Sequence, residues 1–362
     1  MRVRISATHR RILLLITLIG GGLLASCVGD DDLRTETAVR AIAFASVMGE
    51  QEVVTRAGNT LGHDFVVYGY KCLGDGQQMV FDGYTINYDA GSANTSADNT
   101  SNYHYVGGKQ TIKYWDFAAS EYRFWGYTGS ENHFKGNGRE LVIPVTGLLE
   151  ENEPATPYFS SLYIRKPVTS DVVTLEFKRP YSKVRMLFYT SDNRKAGDEI
   201  ELTNITFAPN DGKKIYKAGS VKVTFPLDNA LTAETVVVVP STNDADVQSE
   251  LAYRQVTLSS SDGYAPDHAV TAKTTLAADG TEFYYTLPMG EKNPDFTLKL
   301  TINGDDEQKT AIVPASYMQW NPNVLYTYIF KVSGASKKVE FYDVKIDPWD
   351  YGGSQEETWT NW

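Results

Sequence analysis

Two places in the sequence invite covalent chemistry. Cys27 follows Leu24, Ala25 and Ser26, and small residues ahead of a cysteine let a peptidase grip the chain and free the thiol for acylation. Arg56 lies in Thr55-Arg56-Ala57-Gly58, behind a strand-like segment, where it could serve as a protease site. The other reactive side chains do not gather. His63, His104, His133 and His268 are scattered, with no H-E-x-x-H and no cysteine pair nearby, which argues against zinc. Asp305, Asp306 and Glu307 could touch Ca²⁺, but they lack the EF-hand ligand spacing and read as a solvated hairpin tip. There is no G-x-S-x-G, no Walker loop and no dinucleotide glycine pattern. No catalytic residue, metal or cofactor is assigned, and the chain is not read as an enzyme.

The segment ahead of Cys27 is a targeting leader. Arg2, Arg4, Arg10 and Arg11 form a positive n-region, and residues 12–24 are an apolar run of 13 with three Gly. That is too short for a membrane span of about 20 residues and suits a signal-peptide core. Leu24-Ala25-Ser26-Cys27 resembles the bacterial lipobox, so residues 1–26 are read as a lipoprotein signal peptide and Cys27 as the lipidation site. The alternative is a secreted protein with an incidental cysteine. Several acyl chains on one cysteine meet the need for more than one membrane signal. Cys72 is then left without an intrachain partner and reads as a small buried hydrophobe.

The chain has 362 residues, room for two domains of ordinary size. With 34 Lys and Arg against 45 Asp and Glu, the net charge of −11 argues against nucleic acid, since phosphate binding needs a basic face. Two Cys exclude a disulfide-stapled scaffold. Past residue 60 the pattern is almost entirely period two. Residues 295–302 alternate Phe296, Leu298, Leu300 and Ile302 against Thr297, Lys299 and Thr301. Residues 84–88, 221–225 and 326–332 do the same, and each reads as a half-buried antiparallel strand. Turn clusters separate them at residues 74–76, 209–212, 303–305 and 321–323. Residues 116–122 and 244–253 are the two places where a turn or two of helix is expected. Many short strands with frequent turns predict a β-sandwich or barrel. Pro180 would interrupt a central strand, so the chain is expected to turn or change sheet there.

The six Trp and 23 Tyr invite a carbohydrate-platform reading. Trp115, Trp125 and Tyr328 lie on alternating segments, which places them in the core instead. Before residue 60, residues 38–47 are small and strand-compatible, with Ile42 and Phe44 on one face. Two readings compete: a flexible tether with an incidental strand, or a removable edge strand with a protease site behind it. At the other end, residues 339–346 slip parity near Tyr342 and Asp343, which predicts a bulge or bend. The polar tail beyond Trp349 carries Trp359 and Trp362, unusual for a fraying terminus.

Taken in order, these features resemble the fimbrillin family, the subunits of type V pili. They are the lipobox at Cys27, the strand pattern around Phe44, and Thr55-Arg56-Ala57 ahead of the first domain. Next come FVVYGY at 65–70, Tyr114-Trp115, YRFWGY at 122–127 and the junction-like FKRPYSKVRMLF at 177–188. Trp320 before an Asn-Pro turn, residues 326–332, residues 339–349 and a closing Trp362 complete the series. Asp30, Asp31 and Asp32 also look like the acidic export signal of surface lipoproteins in the bacteria that carry fimbrillins.

The resemblance implies an all-β fold of two tandem transthyretin-like Greek-key β-sandwich domains, residues 57–177 and 178–349. Residues 27–56 would be a lipidated pro-segment with a removable first strand carrying Ile42 and Phe44. An Arg-specific protease would cut between Arg56 and Ala57. Residues 350–362, with Trp359 and Trp362, would be the candidate donor strand for the next subunit. The implied partners are other copies or related pilins in a head-to-tail fibre, the processing protease, and the outer membrane through lipid before maturation. The implied location is the cell surface, in the fimbrium, and the implied role is a stalk subunit with a part in adhesion. The rival is a glycan-binding surface lipoprotein that stays anchored and never polymerises.

Overall fold

The computed structural model describes residues 41–48, 61–87, 110–129, 134–135, 138–150, 153–168, 172–190, 192, 199–258, 273–274, 283–289 and 293–349. All of them fall within one compact unit, Val39–Trp362. Their regular structure is strand throughout, apart from single 3-10 turns at Asp244–Asp246 and Ala315–Tyr317. In chain order the first nine strands are β1 (Phe44–Met48), β2 (Phe65–Leu73), β3 (Gly76–Ile86), β4 (Glu121–Thr128), β5 (Phe134–Lys135), β6 (Glu140–Val145), β7 (Phe159–Ser160), β8 (Tyr163–Arg165) and β9 (Val173–Lys178). There follow β10 (Ser182–Thr190), β11 (Ile200–Pro209), β12 (Ile215–Tyr216), β13 (Gly219–Thr224), β14 (Thr235–Pro240), β15 (Val247–Gln248), β16 (Leu251–Tyr253) and β17 (Val256–Leu258). The last six are β18 (Lys273–Thr274), β19 (Tyr284–Thr286), β20 (Phe296–Ile302), β21 (Lys309–Val313), β22 (Val324–Ser333) and β23 (Lys338–Pro348).

A seven-stranded sheet runs β1-β9-β7-β4-β2-β3, with β8 paired to β4. A four-stranded sheet runs β14-β13-β6-β5. Two five-stranded sheets follow, β18-β10-β22-β23 with β19 on β10, and β16-β11-β20-β21 with β17 on β11. The five-stranded pair encloses one core, where Val184, Phe188, Phe207, Leu298 and Phe330 meet Trp320. β20 shows why its sequence alternates: Phe296, Leu298, Leu300 and Ile302 are buried, and the residues between them are not.

The seven-stranded sheet is buried on both faces. Val66, Tyr68 and Tyr70 of β2 pack with Leu141 and Ile143 of β6 and Val221 and Val223 of β13. On the opposite face Phe65 and Val67 join Phe44, Phe81, Phe124 and Leu175, closed over by Leu61, Trp115 and Ala119 from connecting segments. That is why β2 and β4 read as nearly unbroken apolar and aromatic runs and not as alternating ones. Two glycines make room for the rings. A Cβ on Gly69 would stand 2.6 Å from the Phe124 ring. Gly138 has φ +72 and accepts the Trp125 Nε1–H at 2.8 Å, with the Tyr68 ring where a side chain would go.

The chain changes sheet at Pro180, as expected: β9 and β10 lie in different sheets. It then returns. β13 pairs antiparallel with β6 from Gly219↔Val145 to Thr224↔Glu140, so strands from both sides of the 177/178 division share a sheet. The bulge falls where the parity slips, with Phe341 opposite Phe330, Asp343 opposite Ile329, and Tyr342 between them. Residues 116–122 form no helix. Asp116 Oδ1 accepts from the Ala118 N–H at 3.0 Å, a side-chain turn that competes with helix and leads into β4. At 244–253 one 3-10 turn forms, capped by Asn243, before the chain extends again into β15 and β16.

Tyr253 illustrates how a core position can be improved. Its ring meets Tyr284 edge-on at 5.3 Å, but its hydroxyl is buried with no hydrogen-bond partner among the described residues. Burial pushes the phenol well above its ordinary pKa. Tyr253→Phe keeps the ring and removes the unsatisfied group, so thermal unfolding should show a gain of about 1 kcal/mol. A loss would mean that the hydroxyl has a partner.

Candidate functional site

The first strand, β1, is seated at the end of the seven-stranded sheet. It runs parallel to β9 in the register Phe44↔Val173 to Met48↔Phe177. The Val173 N–H donates to the Ala43 carbonyl at 2.8 Å, and the Ile42 N–H donates to the Lys113 carbonyl at 2.9 Å. Ala41 forms an antiparallel bridge with Tyr114. Among the described residues β9 is its only strand neighbour, so β1 is an edge strand.

Its side chains alternate cleanly. Ile42, Phe44, Ser46 and Met48 are buried, while Ala43, Ala45 and Val47 are half-buried. Phe44 is the anchor. Its ring stands edge-on to Phe81 at 5.1 Å and to Phe124 at 5.5 Å, a geometry favoured by the ring quadrupole. Burying Ile42, Phe44 and Met48 contributes roughly 1.5–3 kcal/mol each. Beyond Met48 the chain enters residues 49–60, which contain Arg56.

A second constellation lies where β9, β10 and the end of β23 meet. Asn323, at φ 62, accepts from the Arg179 N–H through Oδ1 at 3.2 Å and donates its own N–H to the Tyr181 carbonyl at 2.9 Å. Its carbonyl accepts from the Trp349 N–H at 3.2 Å. The fully buried Arg179 pairs with Glu153 at 2.6 Å. Tyr181 donates to the same Glu153 oxygen at 2.8 Å, and burial together with that carboxylate raises its pKa. The Trp349 ring lies 4.4 Å from the Arg179 guanidinium and 3.9 Å from Lys183 Nζ, a doubly cationic clamp. Residues 350–362 begin directly after it.

The other expected residues are placed as follows. Cys27, Arg56, Ala57, Trp359 and Trp362 lie outside the described residues, as do His104, His133 and His268. His63 is exposed. Trp115, Trp125, Trp320, Trp349 and Tyr328 are all buried, which leaves no exposed Trp among the described residues to stack a sugar. Cys72 is buried beside Asn229 and Glu121, and desolvation and that carboxylate raise its pKa. Asp305 pairs with Lys337 at 3.0 Å and Lys309 at 3.6 Å, which hold its carboxyl below the usual range. Among the described residues no group of three His, Cys, Asp or Glu could hold a metal. Sequence reading missed Ser46 and Met48 as core-facing positions, although both share the parity of Ile42 and Phe44. It also missed Glu153 and the clamp on Trp349, for which no local pattern exists.

Fold and site together define an all-β protein whose first strand fills the edge of a sheet buried on both faces. No family model matches the chain, and no curated protein matches it. Solved structures do. A candidate cell adhesion protein of Bacteroides ovatus is 13% identical, covering 87% of this chain and 100% of that one, with a TM-score of 0.43. Another, from Bacteroides uniformis, is 13% identical over 86% of this chain and 98% of that one, with a TM-score of 0.41. A fimbrial protein of Bacteroides vulgatus is 14% identical over 85% of this chain and 99% of that one, with a TM-score of 0.38.

Proposed function

We propose that the chain is a pilin of the type V kind, exported as a lipoprotein on Cys27 and matured by cleavage between Arg56 and Ala57. In this reading β1 is a temporary occupant of the sheet edge. The observation that carries it is the seating of β1: an edge strand with one strand neighbour among the described residues and a buried face, leading into the segment that holds Arg56. Loss of residues 27–56 would strip the outer edge of β9 of its partners and uncover Phe81, Phe124 and Leu175. An edge left in that state accepts a replacement strand, the mode called donor-strand complementation. The donor is assigned to residues 350–362 of a neighbouring subunit, with Trp359 and Trp362 as its large side chains. Such a contact is head-to-tail and does not close, so it grows a filament. The subunit is assigned to the stalk, with a role in adhesion at the cell surface.

The same reading divides the chain into two transthyretin-like Greek-key sandwiches, residues 57–177 and 178–349. Mass spectrometry of the N-terminus of surface material tests the maturation step. A chain beginning at Ala57 is the expected result; one beginning at an acylated Cys27 overturns it. Arg56→Ala should leave a lipidated monomer, and undiminished fibres from that variant would move the cleavage site elsewhere.

A further inference from the structure

Of the four buried positions that residues 41–48 turn toward the core, three carry large apolar side chains. The fourth is Ser46, which is 2% exposed, stands opposite Leu175, and lies between Phe44 and Met48 on the same face. Its Oγ is buried and has no hydrogen-bond partner among the described residues. The side chains around this face, from Phe81 and Phe124 to Leu175 and Phe177, are apolar. A hydroxyl stripped of water without a partner opposes the seating of its own strand. The pairing adds to this. The β1–β9 ladder is parallel and five residues long, and parallel pairing is slightly weaker per residue than antiparallel.

We propose that Ser46 is the built-in weak point of the first strand. It loosens β1 while Ile42, Phe44 and Met48 keep it in register. The groove then prefers, in any strand that replaces β1, an apolar residue at the position opposite Leu175. The partner this groove fits is an extended strand with an apolar side chain at that position. The preference rests on the exchange reading given above; the loosening is a property of the intact chain and is measured there.

Amide hydrogen exchange on the uncleaved full chain tests the loosening. Ser46→Ala removes one oxygen without opening a cavity. The amides of Ala45 and Val47, which face β9 with the parity of Ala43, should exchange about ten-fold more slowly in this variant, while those of β20 keep their rates. Unchanged or faster exchange in β1 overturns the proposal. The preference is tested with two synthetic peptides of residues 41–48, one with Ser and one with Ala at position 46. They are offered to the chain after cleavage at Arg56 and removal of the freed segment. The Ala peptide should bind about ten-fold more tightly, and equal affinities overturn the preference. If neither peptide binds, the exchange reading falls and the preference with it, while the rates in the uncleaved chain still decide whether Ser46 loosens β1.

Discussion

Phe44→Ala should lower the stability of the uncleaved chain by about 3–5 kcal/mol, the cost of emptying a fully buried aromatic site that cannot collapse. Phe44 has no exposed surface, and its two edge-on partners, Phe81 and Phe124, lie in separate strands, β3 and β4. Both partners are fixed in a sheet that is covered on its other face by β6 and β13, so they have little freedom to close over the hole. Urea unfolding followed by tryptophan fluorescence measures the loss, since Trp115 packs against Phe124 at 5.9 Å. A change below about 0.5 kcal/mol, the size expected of a surface substitution, would mean that residues 41–48 are a tether resting on the sheet. The same substitution should release β1 faster after cleavage, because the anchor is lost while the orphaned Ser46 hydroxyl remains.

Trp349→Ala should be at least as damaging, at about 3–5 kcal/mol for the lost ring with about 0.5–2 kcal/mol more for each cation it covers. The ring is 4% exposed, meets Tyr181 edge-on at 5.4 Å and stacks on Tyr285 at 5.8 Å. It also covers the buried Arg179, whose ion pair with Glu153 does not by itself replace the water that the guanidinium gives up. Trp349→Phe should cost less than half as much, because a smaller ring still lies between Arg179 and Lys183. Comparable losses for the two variants would mean that the indole is held for its shape and not for its face. The measurement bears on assembly too. Trp349 directly precedes residues 350–362 in the chain, so a loosened clamp frees the root of the proposed donor and should slow fibre extension.

Much of the strand content was legible in the residues. In β20 the alternation of Phe296, Leu298, Leu300 and Ile302 maps one to one onto burial, because one face of that sheet is covered and the side-chain period of a strand is two. The bulge at Tyr342 announced itself as a slip of parity, and Pro180 as a missing donor between β9 and β10. β2 and β4 were less transparent. Their sheet has a core on each face, so the period vanishes and the run no longer says which residues face which core.

The strand-rich composition and the shared parity of Ile42 and Phe44 follow from the order of residues alone, as does the expectation of a leader and a lipidated Cys27. They depend on neighbours two to a dozen positions away, and such short-range patterns are written directly in the chain. That β1 lies parallel to β9, that β13 crosses to pair with β6, that Ser46 is stripped of water and that Trp349 lies between two cations were decided by the tertiary structure. Each joins segments far apart in the chain or depends on what closes over a side chain. Register and desolvation of that kind arise only when the whole unit packs.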